Sequence, residues 1–260
     1  MNKLVSREDQ KHIQLEMLNE IDAFCTKNSI RYSLAFGTLL GAIRHKGFIP
    51  WDDDVDIMMP VGDMLRFKNE FHSSNMKYCD IDTESHFEYA FSRIASLRTF
   101  RKAGLVNRSY GVCIDLYPVI PISSVEKEND LFFEKGAKLL NIRLNAIRIK
   151  SFLCKILPVK TFPGFDYMIR LYHDHLLSLS VCPPYRKYYI IAGHISLRNR
   201  MIYDYDLFDK LIDVDFEEFK FKATIHFDQF LSLRYGDYMT LPPMEERKPY
   251  HGGQYYWIEG

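Results

Sequence analysis

Nowhere in its 260 residues does the sequence run through about 18 consecutive apolar positions, which excludes a bilayer-spanning helix. The opening MNKLVSREDQKHIQ lacks the apolar stretch of a secretory signal, so the chain is expected to stay in the cytoplasm, where it is made. Paired or metal-spaced cysteines are also missing. The five present, Cys25, Cys79, Cys113, Cys154 and Cys182, form no CxxC and have no histidine at zinc-ligand spacing, so buried reduced thiols are the expectation. Neither sign of charge is in excess: 34 Lys plus Arg balance 34 Asp plus Glu, so no overall field recruits nucleic acid. Internal repeats and low-complexity tracts are absent as well. Aromatic residues are plentiful by contrast. Seventeen Tyr and 19 Phe exceed what a core alone requires, so some are expected to line a pocket or an interface. A hydrophobic share of 47% against 26% charged residues, at a length near the ceiling for one core, describes a compact globular chain.

Ser6 followed by Asp9 forms a capping-box pattern, and Ile13, Met17, Leu18, Ile21, Phe24 and Cys25 recur at helical spacing, which predicts a helix to about Lys27. Strands are predicted at Tyr32 to Phe36, Val55 to Met59, Met76 to Asp82, Phe91 to Leu97 and Val112 to Leu116. Between the first two, Gly37 and Thr38 turn the chain into a short helix, Leu39 to His45, and a helix from Asp63 to Phe71 follows the second. The next half is mainly helical, with helices from Glu126 to about Lys150 and from about Phe165 to Leu179. Short strands follow at Tyr188 to Ala192 and Phe216 to Phe221, then a helix that Thr224 caps and Gly236 ends. The pattern describes an α/β (α+β) chain: a catalytic core over residues 1–125 and helical and mixed elements packed on it over 126–260.

The chemistry concentrates between Phe36 and Ile57. Asp52, Asp53, Asp54 and Asp56 place four carboxylates within five positions, and such a cluster repels itself at neutral pH unless cations or donors neutralise it. Because strand side chains alternate, Asp54 and Asp56 share a face while Val55 points into the core. Two oxygen ligands on one face suit Mg²⁺ or Mn²⁺, which bind a couple of carboxylates and complete their shell with water and phosphate. Asp115, in the strand Cys-Ile-Asp-Leu-Tyr, is the best candidate for a third carboxylate from a neighbouring strand. Gly37-Thr38, at a strand–helix turn, fits a phosphate approached by backbone N–H groups at a helix N-terminus.

Gly37-Thr-Leu-Leu-Gly-Ala-Ile-Arg44, Ile49-Pro-Trp-Asp-Asp-Asp-Val-Asp56, Ile114-Asp-Leu-Tyr-Pro118 and Tyr235-Gly-Asp-Tyr-Met239 with Leu241-Pro-Pro243, Arg247 and His251 together resemble the LicD family, to which the fukutin-type proteins are related. The resemblance implies a nucleotidyltransferase-like mixed sheet flanked by helices. It also implies transfer of phosphocholine, or a similar phospho-alcohol, from a CDP-activated donor, CDP-choline above others, to a hydroxyl of a surface glycan. Carried over to this sequence, Asp54, Asp56 and Asp115 hold the metal, and Asp115 also takes the acceptor's proton. Gly37 and Thr38 hold a donor phosphate, Arg44 neutralises phosphoryl charge, and Arg247 and His251 close over the donor. Asp52 and Asp53 fix the loop rather than ligate. A nucleotide-sugar glycosyltransferase using Asp54-x-Asp56 is the alternative, although such enzymes are expected to begin with a nucleotide-binding βα unit rather than a Gly-Thr turn.

Outside these motifs, Lys135, Lys138, Arg143, Arg148, Lys150, Lys155 and Lys160 form a basic tract with no Asp or Glu among them. Leu139, Leu140, Ile142, Ile147 and Phe152 are interleaved, which describes either a core-packed helix with its cations in water or a segment resting on anionic lipid at the inner face of a membrane, where a lipid-linked acceptor would sit. His173-x-His175, two apart on a helix, diverge and are expected at the surface.

Overall fold

The computed structural model describes residues 2–84, 87, 89–103, 106–108, 110–123, 126–156, 163–177, 185–192, 201–249 and 254–258. The chain forms two interleaved units: Met1–Tyr78, Arg93–Pro118 and Leu207–Gly260 make the first, Cys79–Ser92 and Val119–Asp206 the second.

The first unit opens with α1 (Arg7–Asn28), whose reciprocal capping box joins Ser6 and Asp9 and whose C-cap Ser29 is left-handed. Its Ile13, Met17, Leu18, Ile21 and Cys25 are buried, as their spacing requires. Then come β1 (Ser33–Leu34), α2 (Phe36–His45), β2 (Asp56–Pro60), α3 (Val61–Glu70), β3 (Met76–Cys79), β4 (Ser92–Ser96), β5 (Thr99–Ala103), β6 (Val106–Arg108) and β7 (Cys113–Ser123). The main sheet has the order β1-β2-β7-β4-β3, so the strand carrying Asp56 lies directly beside the strand carrying Asp115. The bond from Asp115 N to Val55 O at 2.8 Å sets that register. Helix α2 begins at Phe36, three residues earlier than its apolar spacing predicts, which brings Gly37 and Thr38 into the first helical turn.

In the second unit, Val119–Ser123 of β7 pair with β8 (Tyr185–Ile190), which pairs in turn with β9 (Ile202–Tyr203). The predicted strand end at Leu116 falls short because Pro118 and Pro121 read as breakers, yet the ladder to β8 runs from Val119 to Ser123. Helices α4 (Glu126–Ile156) and α5 (Pro163–Leu177) pack on each other. Lys150 is buried and pairs with Asp166, and the Arg143 guanidinium lies 5.4 Å from the Tyr172 ring centroid. His175 departs from its expected surface position: it is buried, with Nε2 2.8 Å from the Phe132 carbonyl and its ring stacked on Phe132 at 4.3 Å.

The chain returns to the first unit as a hairpin of β10 (Leu211–Phe216) and β11 (Phe219–Thr224), then α6 (Phe227–Tyr235) and β12 (Tyr255–Trp257). A strand predicted over Phe216 to Phe221 straddles the hairpin turn, where Glu217 has φ 52° and the apolar residues belong to opposite arms. Strand β12 pairs with β5 and β5 with β6 in a small sheet that the charged sequence TFRKA does not announce. Cys25, Cys79 and Cys113 are buried and unbridged. Among the described residues no helix is long and apolar enough to cross a membrane.

Phe230 of α6 is fully buried, with its ring 5.7 Å from that of Phe36 at the start of α2. Phe230→Ala should cost about 3–5 kcal/mol in urea denaturation, while Leu65→Ala on the exposed side of α3 should stay within about 0.5 kcal/mol.

Candidate active site

The acidic loop before β2 is held by its carbonyls. Gln10 Nε2 of α1 donates to Asp53 O at 2.5 Å, Arg7 Nη2 donates to Asp52 O at 3.1 Å, and the Asp52 N–H donates to Ile49 O at 3.0 Å. Backbone anchoring leaves the carboxylates to face one another. One oxygen from each of Asp52, Asp53 and Asp54 lies within 4.8 Å of the other two. Val55, just before β2, is buried, and so is Asp56 at the strand start.

Asp56 is the most constrained of these acids. Its N–H donates to Thr38 Oγ1 at 2.8 Å, so the buried Thr38 hydroxyl fixes the start of β2 from the first turn of α2. The Tyr117 phenol hydrogen-bonds its carboxyl, while its Oδ1 is buried without a hydrogen-bond partner among the described residues. Burial, followed by the charges of Asp54, Asp115 and Asp52, drives the Asp56 pKa well above the usual carboxylate range. Asp52 is pushed up to about 8, first by burial and then by Asp54. An orphaned buried oxygen among mutually repelling carboxylates fits a divalent cation, whose charge would relieve both the desolvation and the repulsion. Asp54 and Asp56 would hold such a cation, although the carboxylate oxygens that the fold groups within 4.8 Å are those of Asp52, Asp53 and Asp54.

Asp115 is buried and held in a two-pronged ion pair by Arg93, with Nε 2.7 Å from Oδ1 and Nη2 2.9 Å from Oδ2. Arg93 of β4 therefore serves the site, whereas Arg98, two residues after the strand, pairs with Glu16. Arg93 was recognisable as a lone cation in an apolar strand. Tyr117 was recognisable too, two residues beyond Asp115 and so on the same strand face.

Gly37 has a definite reason to be glycine: a β-carbon there would sit 2.4 Å from Asp52 Oδ2. Phe36 before it has φ 43°, an unusual backbone for an aromatic residue, with its ring edge-on to Tyr117 at 4.8 Å. Beside the acids opens a cleft of ≈ 690 Å³, lined among others by Gly37, Arg44, Trp51, Asp52, Tyr235 and Tyr238. Among the described residues Arg44 bonds His45 and carbonyls rather than the acidic loop. Its Nη1 donates to Tyr238 O at 2.6 Å, and its Nε donates to His45 Nε2 at 3.0 Å. Burial and the nearby Arg247 lower the Arg44 pKa. Arg247 donates Nε to Pro242 O at 2.9 Å and lays its guanidinium 5.4 Å from the Trp51 ring centroid. Two guanidiniums that repel each other at the rim of a cleft, both bonded to carbonyls, are suited to an anion. His251 lies outside the described residues.

Residues 29–142, which contain the acids together with Gly37, Thr38, Arg44, Arg93 and Tyr117, match the family described as LicD/FKTN/FKRP, nucleotidyltransferase domain. The chain is 28% identical to lipopolysaccharide cholinephosphotransferase LicD of Haemophilus influenzae over 268 aligned residues, covering 96% of this chain and 97% of that protein. Shorter matches join it to uncharacterized proteins of Rickettsia typhi, 43% identical over 53 residues, and Rickettsia prowazekii, 50% identical over 42. These two cover 20% and 16% of this chain and 17% and 16% of the relatives.

Since the folded Asp52 carboxyl holds its proton up to about pH 8 while the unfolded one releases it near 3.8, the folded state binds more protons between these values. In chelator, stability should therefore fall as pH rises through that window. Asp52→Asn should raise the melting temperature by several degrees at pH 8.5 and by less at pH 5, measured by calorimetry on both proteins.

Proposed function

We propose that this chain, which carries a LicD-family nucleotidyltransferase domain over residues 29–142, is a metal-dependent transferase. It moves phosphocholine, or a similar phospho-alcohol, from a CDP-activated donor to a hydroxyl of a surface glycan. The observation that carries this reading is the nearly end-to-end similarity to a protein named a lipopolysaccharide cholinephosphotransferase. The clustered acids beside an arginine-rimmed cleft support it.

Asp54 and Asp56 would hold Mg²⁺ or Mn²⁺, which would supply positive charge toward the donor diphosphate. Thr38 fixes Asp56 through its backbone N–H, and Tyr117 fixes the carboxyl itself. The first-turn N–H groups of α2 have no carbonyl four residues earlier within the helix, so the turn at Gly37 and Thr38 faces a donor phosphate with donors to spare. Arg44 and Arg247 neutralise phosphate oxygens at the cleft rim. Asp115 accepts the proton of the acceptor hydroxyl as that oxygen attacks phosphorus. Arg93 holds the carboxylate in place for this task from two directions. Asp52 and Asp53 shape the loop, and the Gly37–Asp52 contact sets the distance between loop and helix.

A panel of CDP-choline, CDP-glycerol, CDP-ribitol and nucleotide-sugars, each with and without Mg²⁺, tests the reading. Release of CMP and phosphocholine transfer from CDP-choline is the expected result. Turnover in excess chelator would overturn the metal requirement, and turnover of only a nucleotide-sugar would overturn the reaction. Asp54→Asn and Asp56→Asn should each lower turnover by at least a hundredfold, with the far-UV spectrum unchanged. They should also abolish the rise in melting temperature that Mg²⁺ gives the parent protein.

Gly37→Ala must push the Asp52 carboxylate aside. It should weaken donor binding tenfold or more in calorimetric titration while costing stability no more than about 1 kcal/mol. Unchanged donor affinity in a destabilised variant would remove the phosphate from this turn.

A further inference from the structure

The basic tract in α4 has an arrangement that its composition alone leaves open. Arg143 and Lys150 face the interior of the second unit, where one meets the Tyr172 ring and the other pairs with Asp166. The remaining cations with described side chains, Lys135, Lys138 and Arg148, are exposed. So are several large apolar side chains of the same helix: Ile142 is 41% exposed, Ile149 47%, and Phe152 and Ile156 61% each. A helix that only packs on a core hides such residues; this one turns them outward.

Their order is regular. Lys135, Lys138, Ile142, Asn145, Ile149, Phe152 and Ile156 follow one another at alternating steps of three and four, which places them on one stripe, with Arg148 four residues before Phe152. The helix's acids, Glu126, Glu128, Asp130 and Glu134, all precede the stripe. Opposite the buried side, α4 therefore presents a ridge that is apolar at its C-terminal end, cationic at its N-terminal end and without an acid of its own.

We infer that the Lys135–Ile156 stripe of α4 is a docking surface for an anionic lipid bilayer, with Ile149, Phe152 and Ile156 entering the interface and Lys135, Lys138 and Arg148 resting on lipid phosphates. Charge complementarity selects this occupant. A parallel second copy of the helix would place cations against their own kind, and an antiparallel copy would lay Lys135 and Lys138 on the apolar end with no acid to pair them. An anionic surface neutralises the same cations, and its hydrocarbon boundary receives the apolar side chains that water does not. The inference stands independently of the transfer reaction, since it uses no residue of the candidate active site.

Sedimentation of the full chain with vesicles tests it. Phosphatidylcholine vesicles containing roughly one third phosphatidylglycerol should bind the protein, pure phosphatidylcholine vesicles should not, and raised salt should weaken the binding. The Lys135→Glu, Lys138→Glu, Arg148→Glu triple variant should lose binding on the order of a hundredfold. Ile149→Ser with Phe152→Ser should lose roughly tenfold or more. Reversal of three exposed cations outside α4, Lys27→Glu, Arg66→Glu and Lys220→Glu, should leave most of the binding in place. Should the triple variant melt earlier than its parent, Lys138→Gln with Arg148→Gln decides instead. Equal binding to neutral and anionic vesicles overturns the inference. So does equal loss in the outside control, or a wild-type dimer in light scattering that the Ile149→Ser, Phe152→Ser variant dissolves.

Discussion

Carboxylate repulsion is the constraint around which the first unit is built. Asp54, Asp115 and Asp52 raise the proton affinity of Asp56, Asp54 raises that of Asp52, and Asp56 and Asp115 are buried. Left alone, such a group would either take up protons or drive the loop apart. The fold instead holds it from several directions. Side chains of α1 hold the loop by its carbonyls, Thr38 holds the start of β2, and Arg93 takes the charge of Asp115. Breaking any of these frees a carboxylate to move away from its neighbours.

Among the described residues, Tyr117 hydrogen-bonds the Asp56 carboxyl while its buried Oδ1 has no hydrogen-bond partner. Desolvation without compensation is costly in a protein interior, and the proposed cation would offset it. The positive groups of the cleft are arranged differently. Arg44 and Arg247 bond carbonyls, which orients their guanidiniums without cancelling their charge. Acids and cations share the wall of the cleft, where Asp237 and Glu246 stand with Arg44 and Lys248.

Strain and close approach lie at the same turn. Phe36 adopts a positive φ, and Gly37 lets α2 come against Asp52 with no room for a β-carbon. Both serve one geometric end, which is to bring the N-terminus of α2 down onto the acidic loop. The Phe36 ring, edge-on to Tyr117 and near Phe230, anchors this turn in the core, so the backbone strain is offset by aromatic packing.

Much of this was already written in the sequence. The capping box of α1, the acidic loop, the Gly-Thr turn and the strand around Asp115 depend on local spacing, and local spacing is what side-chain periodicity reports. The paired charges were less accessible. That Arg93 meets Asp115, that Arg44 meets carbonyls near Tyr238, and that Gly37 abuts Asp52 follow from contacts between segments distant in sequence, which no periodicity encodes. The β10–β11 hairpin was misplaced for a related reason: apolar residues on its two arms look like one strand until the turn at Glu217 separates them. Similarly, composition made α4 basic and partly apolar, but only packing against α5 decided which of its cations turn inward and which large apolar side chains remain in water. A helix face becomes buried or exposed through its partner, and the partner is chosen by the fold.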